Sequence, residues 1–217
     1  MKVRQAAGAL LMTFACVAAA AQQRNINFEL LQAVRGRSES GVRALLDQGA
    51  NANARNRLGD TPLNSAARNG DLSMVRLLLE RGADANLANL ARVTPLMSAA
   101  YGGHADIVKL LLDAKADVRP VDRVEKTAMI YAAGNGNAES VQALLAAGVD
   151  VNARYAHDAT ALMWAAAYGK DDTVRLLLAQ GADPAVRDER GDSALSIASR
   201  EKHGGTVALL QAAVAGK

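Results

Sequence analysis

The chain has 217 residues, half of them apolar and only 3% aromatic. Leu, Val and Ala must therefore fill any core, which favours thin helical layers over a wide sheet. The formal charge is +3, but Lys2 and Arg4 fall in a distinctive leading segment, and the remaining 23 basic against 22 acidic residues are nearly balanced. A pI of 9.2 thus does not by itself imply a nucleic-acid or membrane partner, and a single cysteine, Cys16, excludes a disulfide framework.

Residues 1–21 read as a secretory signal peptide. Lys2 and Arg4 give a positive start, Ala6 to Ala21 carries no charge, and Ala19-Ala20-Ala21 offers small residues for cleavage before polar Gln22-Gln23-Arg24. A retained membrane anchor is the rival reading, although the apolar run falls short of the roughly 20 residues that span a bilayer. Lipid attachment at Cys16 is a third, weakened by the poor lipobox Thr13-Phe14-Ala15.

From about Asn25 onward a period of 33 residues runs without a gap. Thr61, Thr94, Thr127, Thr160 and Ser193 keep that step. So do the pairs Ala66-Ala67, Ala99-Ala100, Ala132-Ala133 and Ala165-Ala166, and Leu45, Leu78, Leu111, Leu144, Leu177 and Leu210. Gly49, Gly82, Gly148 and Gly181 follow it too, with Lys115 in the missing slot. Each unit begins with a Thr or Ser able to cap a helix, twice followed by Pro at the first helical position. Paired alanines then allow close helix approach, an apolar stripe such as Val75, Leu78 and Leu79 marks a second helix, and glycine supplies a left-handed C-cap. One such hairpin cannot bury its apolar face, whereas stacked neighbours can. The first unit, with Asn27, Glu29, Gln32 and Arg35, and the last, with Arg200, Glu201 and Lys202, are polar as terminal caps should be.

The pattern closely resembles the ankyrin repeat. Thr61-Pro62-Leu63, Ala66-Ala67, Gly70, Leu77-Leu78 and Gly82-Ala83-Asp84-Ala85-Asn86 stand where that family places them, and Thr94-Pro95-Leu96 through Gly103-His104 to Leu111-Leu112 matches better still. The resemblance covers about Asn25 to Lys217 and implies an all-α ankyrin-repeat solenoid of about six helix-turn-helix units with short extended tips and no real sheet. The repeats divide at about 25–55, 56–88, 89–121, 122–154, 155–187 and 188–217, within a domain of residues 22–217. Three departures carry expectations. Arg92, Glu125 and Asp158 replace a tip glycine, which predicts blunter tips. Lys115 costs about 1 kcal/mol if it turns left-handed. Asn64, Met97, Ile130, Met163 and Ser196 replace the family's usual histidine, which predicts that its bonds to the neighbouring loop are lost to apolar packing.

No nucleophile lies near a base at a useful spacing, so no catalytic residue is assigned. His104 and His203 share one repeat slot and read as structural, while His157 beside Asp158 marks an exposed tip. Gly134-Asn135-Gly136-Asn137 is an inter-helix turn and not a phosphate loop, and Trp164 reads as partly buried packing. No metal, cofactor or small-molecule substrate is implied. The resemblance implies binding through the tips and the exposed side of the first helices. Candidate partner-binding residues there are Arg57, Leu58, Arg68, Leu90, Tyr101, Arg123, Lys126, Arg154, Tyr155, Tyr168, Arg187 and Arg190. With Arg35, Arg55 and Arg200 added, ten basic residues face Asp60, Glu189, Asp192 and Glu201, a surplus of +6; two more slots, bringing Arg92 with Asp122, Glu125, Asp158 and Asp188, reduce it to +3. The expectation is a non-catalytic, exported scaffold, periplasmic by resemblance to exported bacterial ankyrin proteins, that captures an acidic protein surface on a basic concave strip. Secretion is the alternative destination, and binding of nucleic acid or another polyanion the alternative function, which the near-neutral balance and scarce aromatics disfavour.

Overall fold

The computed structural model describes residues 22–215; the signal-peptide reading and Cys16 lie outside them. Twelve helices follow one another among the described residues: α1 (22–35), α2 (Glu39–Asp47), α3 (Pro62–Arg68), α4 (Leu72–Glu80), α5 (Pro95–Gly102), α6 (Ala105–Asp113), α7 (Ala128–Asn135), α8 (Ala138–Ala146), α9 (Ala161–Ala167), α10 (Asp171–Ala179), α11 (Ala194–Arg200) and α12 (Gly204–Ala215). From α3 onward the odd-numbered helices pack side by side in one layer, and the even-numbered helices form the other.

The repeated residues do what their chemistry dictates. Thr61, Thr94, Thr127, Thr160 and Ser193 each cap a first helix by accepting a hydrogen bond from the amide three residues on. The alanine pairs are at most 1% exposed, as are Leu78, Leu111, Leu144, Leu177 and Leu210. Lys115 is left-handed (φ 64°). It closes α6 with bonds from its own amide to the Leu112 carbonyl and from Ala116 to Leu111, as Gly82 and Ala83 close α4.

Neighbouring repeats are tied by polar bonds as well. The Asn53 side chain accepts from the Asp84 amide and donates to the Gly82 carbonyl. Asn86 does the same with Asp117 and Lys115, and Asn152 with Asp183 and Gly181. The ladder breaks at Arg119, whose guanidinium folds back on Asp117 at 2.9 Å.

Two expectations are corrected. All five tips (56–60, 89–93, 122–126, 155–159 and 188–192) keep the same bond from the first amide to the fifth carbonyl. Arg92, Glu125 and Asp158 adopt the left-handed backbone that Gly59 and Gly191 adopt elsewhere, so these tips are not blunter. In the first, second, third and fifth tips an Asn or Asp side chain (Asn56, Asn89, Asp122, Asp188) accepts two amides of its own turn, and that pins the turn despite the strain. The histidine substitutes also divide. Met97, Ile130 and Met163 are buried apolar side chains, but Asn64 donates to the Val93 carbonyl at 3.2 Å and so keeps a bond to the next loop.

Lys115→Gly is expected to raise stability by about 1 kcal/mol and Gly82→Ala to lower it by a similar amount. Arg119→Asn, which restores the missing rung, is expected to add about 1 kcal/mol. Urea unfolding of the three variants against the parent measures each.

Candidate functional site

The surface between the tips and the first helices is where exposed apolar side chains collect. Tyr101 at the C-terminal end of α5 is 60% exposed, and Tyr168, the residue that ends α9, is 52% exposed. Between them stand Tyr131 on α7 and Trp164 on α9, both half-buried. Tyr101 meets Tyr131 edge-on at 5.5 Å between ring centroids, and Trp164 stacks on Tyr168 at 6.2 Å. Lys126 joins the two pairs. Its ammonium lies 4.7 Å from the Trp164 ring centroid and 5.6 Å from that of Tyr131, within range of a cation–π attraction. Buried Gly134 forms a flat floor, where even a Cβ would touch the Tyr168 ring. Leu58, Leu90 and Val124 stand exposed on the first three tips.

Charged side chains on this face are mostly engaged. Asp60, almost wholly buried, receives both ends of the Arg68 guanidinium at 2.9 and 3.3 Å and the Asn89 amide at 2.8 Å. Burial pushes the Asp60 carboxyl up, but the bonds from Arg68 and Asn89 outweigh it and hold the group below the usual carboxylate range. The same pair recurs four repeats later between Arg200 and Asp192 at 2.5 Å, where Arg200 and Ser196 hold the carboxyl down. In the intervening repeats those two slots hold Val93 with Tyr101, Lys126 with Gly134, and Ala159 with Ala167, so the centre of the face is aromatic where its ends are ionic. Tyr131 donates to Asp122 at 2.5 Å; burial first, then this bond, raises its phenol well above the ordinary value.

A family model described as "Ankyrin repeats (3 copies)" matches residues 86–155 and 155–215, and one described as "Ankyrin repeats (many copies)" matches residues 30–79. The chain belongs to the ankyrin-repeat family. No curated protein matches it. Ankyrin repeats generally mediate protein–protein interaction and are typically non-catalytic scaffolds.

Within this ankyrin face the candidate residues fall into three groups. Arg57, Leu58, Leu90, Tyr101, Arg123, Tyr168 and Arg190 are exposed and make no ion pair or side-chain hydrogen bond among the described residues. A second group is exposed but engaged: Arg68 holds Asp60, Arg154 donates to the Arg187 carbonyl at 3.2 Å and lies 3.6 Å from Asp158, and Arg187 donates to the Gly191 carbonyl at 2.7 Å. These three brace the tips, and Lys126 is held in the aromatic cluster. Tyr155 is a correction. It opens the fourth tip, but its side chain packs against the core, and burial pushes its hydroxyl up to about 12; it is not an exposed anchor.

The sequence reading missed Tyr131 and the joining role of Lys126, and it placed Trp164 in packing alone. Their common signal was available: Ser65, Ser98, Tyr131, Trp164 and Ile197 share one repeat slot, and it turns aromatic in adjacent repeats. His104 and His203 are structural as expected, with their Nε2 atoms 3.3 and 3.1 Å from the Arg68 and Ala167 carbonyls of the preceding repeat. His157 meets Glu189 of the fifth tip at 2.6 Å rather than Asp158.

Asp60→Ala leaves Arg68 and Asn89 without their acceptor and is expected to cost about 2 kcal/mol at neutral pH. Because the folded carboxyl sits below its unfolded value, its contribution is complete above about pH 4 and fades as pH falls through the folded value. Thermal unfolding of parent and variant between neutral pH and about pH 2 should show the gap closing on acidification.

Proposed function

We propose that this ankyrin protein is an exported, non-catalytic scaffold that captures a partner protein on the face between its tips and first helices. One observation carries the reading. The chain holds few aromatic residues, yet three of its four tyrosines and its only tryptophan lie together on that face, in three consecutive repeats. Tyr, Trp and Arg are the residues that dominate binding energy at protein interfaces. Arg57 and Arg123, exposed and without an ion pair among the described residues, supply rim charges that favour an acidic partner, acting on encounter rate and salt dependence more than on final affinity. The leading segment of residues 1–21 supports export, with the periplasm as the destination we favour.

Capture from an envelope fraction, followed by mass spectrometry, is expected to return a protein. Tyr101→Ala together with Tyr168→Ala should weaken its affinity by about tenfold or more, while Arg123→Glu should slow association and flatten its salt dependence. A partner retained at full affinity by all three changes would overturn the assignment of this face. Expression with and without residues 1–21, followed by fractionation, tests export: the processed protein should reach the periplasm only when the segment is present.

A further inference from the structure

Positive charge is not spread evenly along the binding face. At the N-terminal end, α1, the first tip and the end of α3 enclose an open groove of about 1160 Å³. Five arginines line it, Arg24, Arg35, Arg55, Arg57 and Arg68, against one carboxylate, Asp60. That carboxylate is buried and committed to Arg68 and Asn89. Arg55 donates to the Gly59 and Ala88 carbonyls, which leaves its charge uncompensated. Arg24, Arg35 and Arg57 are exposed and have no ion-pair or side-chain hydrogen-bond partner among the described residues. At the other end, the fifth tip mixes Arg187 and Arg190 with Asp188, Glu189 and Asp192, so no comparable surplus arises there.

The groove is not purely ionic. Phe28, 59% exposed, and Leu58, 67% exposed, stand among the arginines. Like charges gathered without counter-charges repel one another, and an anion that enters relieves that repulsion while gaining charge-assisted bonds. A guanidinium fork fits a carboxylate with two parallel bonds. The interleaved Phe28 and Leu58 gain only from a ligand that also carries apolar groups. An acidic polypeptide offers both, alternating side chains to either side of an extended backbone. A sulfated polysaccharide offers charge without a bulky apolar side chain.

We propose that this groove anchors an extended acidic segment of the partner, one with a bulky apolar side chain among its carboxylates. The inference rests on the reading of this face as a protein-binding surface, and adds where the partner's charge is held and what accompanies it.

The test uses the purified protein and a short fluorescein-labelled peptide of Asp and Glu with one central Leu, followed by anisotropy across a salt series. Binding that weakens with salt is expected. Arg35→Glu with Arg57→Glu should weaken it by about tenfold or more and reduce the salt slope. Leu58→Ala, or replacement of the peptide's Leu by Ser, should weaken it about threefold to tenfold with the slope unchanged. Arg76→Glu with Arg175→Glu, an equal charge change at exposed positions of α4 and α10 in the other layer, should leave it intact; circular dichroism of each variant separates lost binding from lost folding. No binding up to about 1 mM peptide, indifference to the arginine reversals, or tighter binding of single-stranded DNA than of the peptide would each overturn the proposal. The broader reading fails separately. A partner captured through Tyr101 and Tyr168, together with a groove that ignores acidic peptides, would leave the scaffold standing and remove only its arginine anchor.

Discussion

The constraint on which this molecule depends is the close approach of neighbouring first helices. Ala66-Ala67, Ala99-Ala100, Ala132-Ala133 and Ala165-Ala166 are fully or almost fully buried, and their small side chains permit the spacing at which α3, α5, α7 and α9 form one layer. That spacing in turn fixes how far apart the tips stand. It brings Asn53 within reach of Gly82, and Asn64 within reach of Val93. It also sets which side chains of adjacent repeats can meet on the exposed face, including Tyr101 with Tyr131 and Lys126 with Trp164. The aromatic face and the stability of the rod thus share one geometric source, as expected of a chain whose stability is a sum of repeats and nearest-neighbour interfaces.

The turn between the two helices of each repeat shows how the same constraint selects residues. Gly70, Gly103, Gly136 and Gly169 are left-handed. A Cβ at any of them would press within 3 Å of His104, Asn137, Lys170 or His203 from the next repeat. Glycine is thus demanded there by the neighbour as well as by the backbone. The equivalent position is Arg37 in the first repeat and Lys202 in the last, each with positive φ. In the repeat after Arg37 the corresponding residue, Asp71, turns its side chain to cap its own helix α4, and no repeat follows Lys202 among the described residues. Neither position therefore meets a side chain that reaches back across the turn as Asn137 reaches back to the Ala100 carbonyl.

The repeat architecture was legible in the sequence because the periodic residues act locally or against one fixed neighbour. Threonine caps, alanine pairs and terminal glycines mean the same thing in every unit. The candidate site was legible only in outline. The exposed positions of Arg57, Leu58, Leu90, Tyr101, Arg123 and Tyr168 follow from slot alone, but whether an arginine is free does not. Arg68 and Arg57 look alike in sequence, and only the buried Asp60 distinguishes them. Tyr155 misled for a related reason: it stands where other tips carry the Asn or Asp that accepts their amides, so a tip slot implied exposure, and its side chain instead packs against the core.

The junction between the third and fourth tips departs most from its neighbours. Elsewhere a backbone bond runs between adjacent tips, from Leu90 to Leu58, from Arg123 to Ala91 and from Glu189 to His157. Among the described residues no corresponding bond joins Ala156 to Val124. The asparagine rung is missing at the same junction, where Arg119 turns back on Asp117, and Val121 takes the slot from which Arg55 and Arg154 staple other tips together. Side chains take over: Lys126 of the third tip reaches the Trp164 ring on α9. A cation–π contact at a half-exposed site contributes about 0.5–1 kcal/mol, comparable to one hydrogen bond and less than the set it replaces. The junction that lacks these polar ties is therefore also the one spanned by the Lys126–Trp164 contact, and a partner that packs on Trp164 and Tyr168 would cover that contact. Binding there and stiffening of that junction would then be one event, because the surface the partner buries carries the contact between the third tip and α9.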